Sequence, residues 1–334
     1  MTKIFCVGSA GKDIFFPTKE GKILETPEDI TSQKKIAFEL GAKYKIENRF
    51  EALGGCAANV AVGLARLGME SACISTVGED EMGAWVCKEL KEKKVGTELM
   101  VVEKKNKTDL SAIIVDSPSA ERTIFSNKNS SGNLELNAEK IKDAEWIYVG
   151  DIQGKWKDQL ESIIQIAREG KKKIIFNPRE ANIHDDSGEV IQAIGLCEAV
   201  FVNKDEAIEI VSGMNVNTVP ENINDEKFLL EKLKSLEPKV VVITDGKRGA
   251  WANDGKKIIY AQGLEVSAVD STGAGDSFLS GFAAAYIKGK KLEECLKWGI
   301  ANSGNVVQFY GAVEGLLNEG EIEKKSKEVI ASVL

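Results

Sequence analysis

The residues best suited to chemistry lie in Val269–Phe282, which reads Val-Asp-Ser-Thr-Gly-Ala-Gly-Asp-Ser-Phe-Leu-Ser-Gly-Phe. Gly273 and Gly275 flank Ala274 and lead straight into Asp276. Beyond them Phe278, Leu279, Phe282, Ala283, Tyr286 and Ile287 recur at helical spacing. A loop almost free of side chains that opens a helix turns backbone N–H groups toward an anion, helped by the dipole of the first turn. A carboxylate beside such a cradle repels an anion that merely rests there. It is useful where Asp276 must take a proton from a hydroxyl attacking a phosphoryl group while the N–H groups hold the charge that builds up. An ordinary tight turn before a helix is the plain alternative, since Gly-x-Gly is a common pattern.

A second candidate stretch is Gly54-Gly55-Cys56-Ala57-Ala58-Asn59, continuing to Leu67-Gly68. Its small residues predict a helix packed closely on a sheet, with Gly68 as its cap. The paired glycines let a ligand approach the backbone, and Asn59 is the polar side chain in an apolar row. Asp13 follows the first strand, residues 3–8, and is placed to accept hydrogen bonds from hydroxyls of a polar ligand, or to serve as a turn aspartate. Gly8 and Gly11 have the wrong spacing for a dinucleotide fingerprint, and strand-like Ile14-Phe15-Phe16-Pro17 follows where a helix should. Arg122 in a strand-like run could hold an anionic or polyhydroxyl group, with a solvated cation as the equal alternative. Asn203 and Glu206, three residues apart at a helix start, suit waters around Mg2+ and equally suit a capping box. No Gly-x-x-x-x-Gly-Lys-Ser/Thr is present, so phosphate must be met by the Gly273–Gly275 N–H groups, a divalent ion, or Lys247 and Arg248.

These residues need elements that bring them together. From about residue 144 strand and helix patterns alternate: strands at 146–149, 173–176, 199–202 and 240–244, and helices at 156–170, 187–194 and up to Leu236. Polar residues (Asp13, Asn177, Asn203 and Thr244) follow successive strands, where an open parallel sheet binds ligands. The expected fold class is therefore α/β: an open, mostly parallel sheet with helices on both faces, plus a small β-strand lid. The core takes residues 1–14, 53–96 and 127–334. The lid takes 15–52 and 97–126, with strand pieces at 36–40 and 44–50, and would exclude water from the donor phosphate. Leu292–Phe309 and Glu321–Leu334 are expected to be helices that close the chain. Asn177-Pro178-Arg179 is given a supporting role.

Composition narrows the classes. The chain has 334 residues with 44 basic against 52 acidic, a formal charge of -8 that argues against nucleic acid or an anionic membrane as partner. Lys171–Lys173 reads as a solvated helix end. Six cysteines form no Cys-x-x-Cys pair, which fits buried thiols in a reducing compartment. The single histidine, His184, cannot build a multi-histidine metal site and reads as a surface loop residue. The first residues run into a strand without a leader, and no apolar run is long enough for a bilayer, so a cytoplasmic setting is expected.

With both glycine-rich signatures in place, the chain resembles the ribokinase-like (PfkB) carbohydrate kinases, which include ribokinase, fructokinases, 2-keto-3-deoxygluconate kinases and nucleoside kinases. The resemblance extends over essentially the whole chain. It implies Asp276 as the base for the acceptor hydroxyl, and Gly273, Ala274 and Gly275 as the anion hole with Thr272 beside it. It implies Asp13, Gly54, Gly55 and Asn59 as holders of the sugar, and Asn203 and Glu206 as organisers of Mg2+ and phosphate. Thr244, Gly246 and Gly249 would line the ATP site, with Asn305 on the helix bordering adenine. The family's K+ site, built on carbonyls at positions matching Asp270 and Thr272, is implied as an optional addition, although Ala301–Gly311 is shorter than in ribokinase. The expected activity is ATP-dependent phosphorylation of a hydroxyl of a small sugar or sugar acid, in a chain able to form a homodimer through its lid. The alternatives are a nucleoside kinase, with Phe15, Phe16 or Tyr44 against the base, and a non-catalytic nucleotide- or sugar-binding module.

Overall fold

The structure is a computed structural model and describes residues 2–26, 34–134, 136, 141–214 and 220–334. A nine-stranded sheet runs through its centre. Six strands are parallel, in the spatial order Glu70–Ile74, Lys3–Val7, Trp146–Gly150, Lys173–Asn177, Ala199–Asn203 and Val240–Thr244. Ala250–Asn253, Ile258–Ala261 and Ala331–Val333 continue the sheet antiparallel. The parallel strands are apolar on both faces because helices cover both. Ile4 and Cys6 enter one core while Phe5 and Val7 enter the other, and Val240 and Val242 part from Val241 and Ile243 in the same way. Helices Cys56–Arg66, Ala274–Ile287 and Leu292–Val306 pack on the first face, and Trp156–Gly170, Lys204–Gly213 and Glu226–Lys234 on the second.

A four-stranded sheet lies beside this core, in the order Glu121–Asn127, Asp109–Asp116, Gly11–Thr18, Phe50–Gly54. Its small core is Phe15, Ala52, Ile113 and Val115, with Tyr310 packed against it. The hairpin Lys22–Glu25 with Lys34–Ala37 is appended to it in sequence; residues 27–33, which the sequence places in the lid, are outside the described residues. A cavity of about 620 Å³ is bounded by Ile36, Arg122 and Thr123 from this layer and by Lys247 from the loop after Val240–Thr244. This smaller layer thus faces the end of the parallel sheet where the strands finish.

Several expected boundaries are corrected. The lid sheet begins at Gly11, so Asp13 stands on a lid strand and not on a turn after the first core strand. Residues 44–49 form no strand; pairing starts at Phe50, where Phe15 and Phe50 face each other across the ladder. Val101–Glu103 pairs with Thr76–Gly78, outside the lid sheet. The predicted C-terminal helix stops at Lys325, and Ala331–Val333 becomes an edge strand on Ile258–Ala261. Val329 and Ala331 pack on the first core, a pull that outweighs the weak helical periodicity there. His184 lies in a short helix, Glu180–Asp185, not in a loop. Between Gly213 and Glu226, Pro220–Ile223 forms a short helix, and residues 215–219 are outside the described residues.

Candidate active site

Asp276 sits in the first turn of Ala274–Ile287 and is buried. Gly273 caps that helix in the left-handed region (φ 74°), and a Cβ there would overlap Ala312. Only glycine therefore fits both the backbone angle and the space. The preceding loop is pinned by Asp270, which is fully buried and accepts from Thr272 N–H at 2.9 Å and from Gly311 N–H at 3.0 Å. Ala274 N–H donates back to Ser271 O at 3.3 Å, while Gly273 and Gly275 N–H have no acceptor among the described residues. A Cβ on Gly275 would meet open space. Two of the three expected cradle donors thus lack an acceptor among the described residues, and open space adjoins Gly275.

Small residues bring the second signature onto this helix. A Cβ at Gly63 would collide with Ser280, so only glycine allows Cys56–Arg66 to lie this close to Ala274–Ile287. That approach sets Asn59 Nδ2 2.9 Å from Asp276 Oδ2, to which it donates. The position of a Cβ on Gly54 is filled by the Asp13 carboxylate, which places Asp13 against the glycine pair. Asp13 is buried, and this burial above all raises its pKa from 3.8 to about 6; the Ser111 hydrogen bond and the Lys128 charge oppose the rise, while Asp270 and Asp276 add to it.

Arg179, to which the sequence assigned only a supporting part, reaches the centre of the site. Its Nη2 donates to Asp276 Oδ1 at 2.6 Å and also contacts Cys56 Sγ. The two carboxylate oxygens of Asp276 are thus held by two different groups. Lys128 and Asp151 were missed altogether. Lys128 Nζ bonds Asp151 Oδ2 at 2.8 Å, and Ser9 Oγ donates to the same oxygen at 2.6 Å while accepting from Cys56 N–H. Burial pushes the Asp151 carboxyl up, but Lys128 and the Ser9 bond more than offset it and bring its pKa down to about 2. These residues are isolated in sequence, and no spacing pattern could have joined them. Arg122 extends from the lid to donate to Ser271 Oγ at 2.5 Å, so the lid touches the cradle loop itself.

On the other side, Asn203 and Glu206 form the capping box: Asn203 Oδ1 accepts from Glu206 N–H and Glu206 Oε2 from Asn203 N–H, both at 2.8 Å. Glu206 is buried, which raises its pKa, with the Arg179 charge opposing. Its other oxygen is not committed to the box, so the pair can still orient water around a divalent cation. Thr244 ends its strand and pairs in register with Asn203. Gly246 and Gly249 follow in the turn with positive φ. Arg248 is engaged by Asp245 and Glu226 and is not free for phosphate; Lys247 borders the lid cavity. Asn305 Nδ2 ties its helix to Gly315 O at 2.7 Å, a structural bond not foreseen. Glu180, His184 and Glu209 form the one metal-type cluster among the described residues, with His184 Nε2 3.0 Å from Glu209 Oε1 on the surface. Phe15 is fully buried and Tyr44 takes a bond from Glu39 N–H, while the partly exposed Phe50 stacks on Tyr310 with ring centroids 4.3 Å apart.

Among the described residues, three buried polar atoms at the centre have no partner: Asn59 Oδ1, Arg179 Nε and Thr272 Oγ1. A buried unpaired donor or acceptor costs about 1–3 kcal/mol, and their clustering around Asp276 marks a place built for a polar ligand.

Comparison with known proteins identifies the family and the fold. The pattern of the pfkB family carbohydrate kinases matches residues 30–318. A nucleoside kinase of Methanothermobacter thermautotrophicus is 27% identical over 276 residues, covering 81% of this chain and 84% of that one. An ATP-dependent 6-phosphofructokinase of Thermoanaerobacterium thermosaccharolyticum is 26% identical over 314 residues, covering 91% and 93%. Among solved structures, a Burkholderia thailandensis nucleoside kinase in complex with inosine superposes with a TM-score of 0.79 at 16% identity, covering 98% of each chain. Similarity at that level speaks for the fold.

Proposed function

The chain belongs to the pfkB family of carbohydrate kinases, and on that premise we propose that it transfers the terminal phosphoryl group of ATP to a hydroxyl of a small sugar or nucleoside, with Asp276 as general base. The observation that carries this reading is Asp276 itself, buried at the mouth of a helix beside the free N–H groups of Gly273 and Gly275. Asp13, Gly54, Gly55 and Asn59 hold the acceptor. Asp276 receives the hydroxyl proton as the phosphorus–oxygen bond forms in line, and the cradle with Thr272 holds the charge on the moving group. Thr244, Gly246, Gly249 and Asn305 line the nucleotide site. Mg2+, held through water by Glu206 and Asn203, would neutralise phosphate charge when bound; K+ near Asp270 and Thr272 is the optional further cation. The lid, through Arg122 and the Asp13 strand, excludes water.

The charge balance favours a neutral polyhydroxyl acceptor over a sugar acid. Lys128, whose charge acts on Asp13, and Arg179 are already paired with Asp151 and Asp276. A nucleoside is the second reading, supported by the stacked Phe50 and Tyr310 beside the lid core. The cytoplasmic setting fits six free cysteines. Exposed Ile124 and Phe125 on the lid's edge strand support a homodimer formed there.

Asp276→Asn tests the base. Turnover should fall about 10²-fold or more with no loss of ATP affinity, measured by coupled ADP release over pentoses, hexoses, sugar acids, sugar phosphates and nucleosides, with and without K+. An Asp276→Asn enzyme of undiminished turnover would end the proposal.

A further inference from the structure

Arg179 sits on the base of the proposed reaction, and its charge reaches the donor side. Its guanidinium lies on Asp276 Oδ1, beside the cradle, and its charge also acts on the buried carboxylate of Glu206 on the donor side. Its backbone is fixed. Arg179 O accepts from Asn182 N–H at 2.8 Å, and Asn182 Nδ2 is tied to Ile152 O at 3.0 Å. Only the side chain is left to move.

The guanidinium is used by half. Nε–H and the outer Nη2 form one edge of its planar fork, the edge that grips two oxygens at once. Nη2 is spent on Asp276, while Nε is buried with no partner among the described residues. A phosphoryl group offers two oxygens and more charge than one carboxylate, and so satisfies both donors. Meanwhile Asn59 occupies the other oxygen of Asp276. With both oxygens held, an acceptor hydroxyl must compete for the base.

Resting on the reading of Asp276 as base, we propose that Arg179 is a movable phosphoryl-binding residue. It is parked on Asp276 while the donor site is empty and is drawn onto the terminal phosphoryl group when the triphosphate binds, uncovering Oδ1 for the acceptor. The exchange orders the two substrates: the base is opened to a hydroxyl once a phosphoryl group is there to receive it. The guanidinium carries charge only. It neither takes nor gives a proton, and Asp276 remains the acceptor of the hydroxyl proton.

The test is equilibrium binding of Mg2+-ADP and of the non-hydrolysable triphosphate AMP-PNP to the full chain by calorimetry. Arg179→Gln should weaken AMP-PNP about tenfold and leave ADP unchanged, and Arg179→Lys should fall between. Asp276→Asn should tighten AMP-PNP, both by removing a like charge and by releasing the guanidinium. In the Arg179→Gln background the gain from Asp276→Asn should shrink at least about threefold, because the released group is gone. A gain of the same size in both backgrounds overturns the exchange. Equal weakening of ADP and AMP-PNP in Arg179→Gln also overturns it, since that is the mark of a structural residue. Thermal melts screen for folding; should Arg179→Gln not fold, Arg179→Lys replaces it in the same cycle. Binding is read without turnover, so a fully active Asp276→Asn enzyme would remove the base and leave the Arg179 result standing, and the reverse outcome would do the opposite.

Discussion

Replacing Asp13 by Asn should make the protein more stable and a poorer binder at the same time. The carboxyl is buried against Gly54, and its pKa stands at about 6 in the fold against 3.8 when free. Between those values the native state holds a proton that the unfolded chain has lost, so stability falls as pH rises from about 4 to about 6 and stays low above. A gap of about two pH units corresponds to roughly 3 kcal/mol, an order-of-magnitude figure for a group this buried. Urea unfolding from pH 4 to 8 should therefore show a decline in the wild type that the Asp13→Asn variant lacks. The two should be alike near pH 4, and the variant ahead by up to about 3 kcal/mol at pH 8. Binding should move the other way. An ionised carboxylate accepting from acceptor hydroxyls gives charge-assisted bonds of about 1.5–3 kcal/mol, so acceptor KM should rise about 10- to 100-fold in the variant. For the same reason wild-type acceptor affinity should improve as pH rises through 6. An unchanged pH slope together with an unchanged KM would show that Asp13 is neither an ionisable liability nor a ligand-binding group.

The cradle can be divided by two alanine substitutions. Gly273→Ala forces a left-handed angle on a residue with a Cβ and drives that carbon into Ala312, so the melting temperature and kcat should both drop, with at least about 1–2 kcal/mol lost by denaturant titration. Gly275→Ala meets no neighbour and should leave stability equal or up to about 1 kcal/mol higher while kcat falls, because the new methyl enters the space left for the phosphoryl group. Asp270→Asn exchanges a carboxylate that accepts two N–H groups for an amide, and should cost about 2–4 kcal/mol of unfolding free energy and loosen the loop, read as faster amide exchange at Thr272 and Gly311.

Local pattern carried much of this protein. Runs such as Val240–Thr244, apolar on both faces and followed by polar turns, have few options besides buried parallel strands, and the two glycine-rich stretches announce helix openings through their own backbone demands. Those are properties of neighbouring residues. Hence the layered fold and the helix openings at Gly54-Gly55 and Gly273–Gly275 were readable in order along the chain. The capping role of Asn203 and Glu206 was readable too, for their three-residue spacing is local.

What tertiary structure alone decided depends on distance through space. Arg179 and Asp276 are 97 positions apart, and Asn59 and Asp276 are 217 apart, so no periodicity links them. Their meeting follows from how closely two helices pack and where a strand ends. Asp13 changed sheets because its partners, Ala52 and Ser111, come from far along the chain, and the last strand formed because an edge at Ile258–Ala261 awaited one. The sequence determined which groups could handle a phosphate and a proton; packing determined which of them touch, because burial and charge act between surfaces brought together only once the chain has folded.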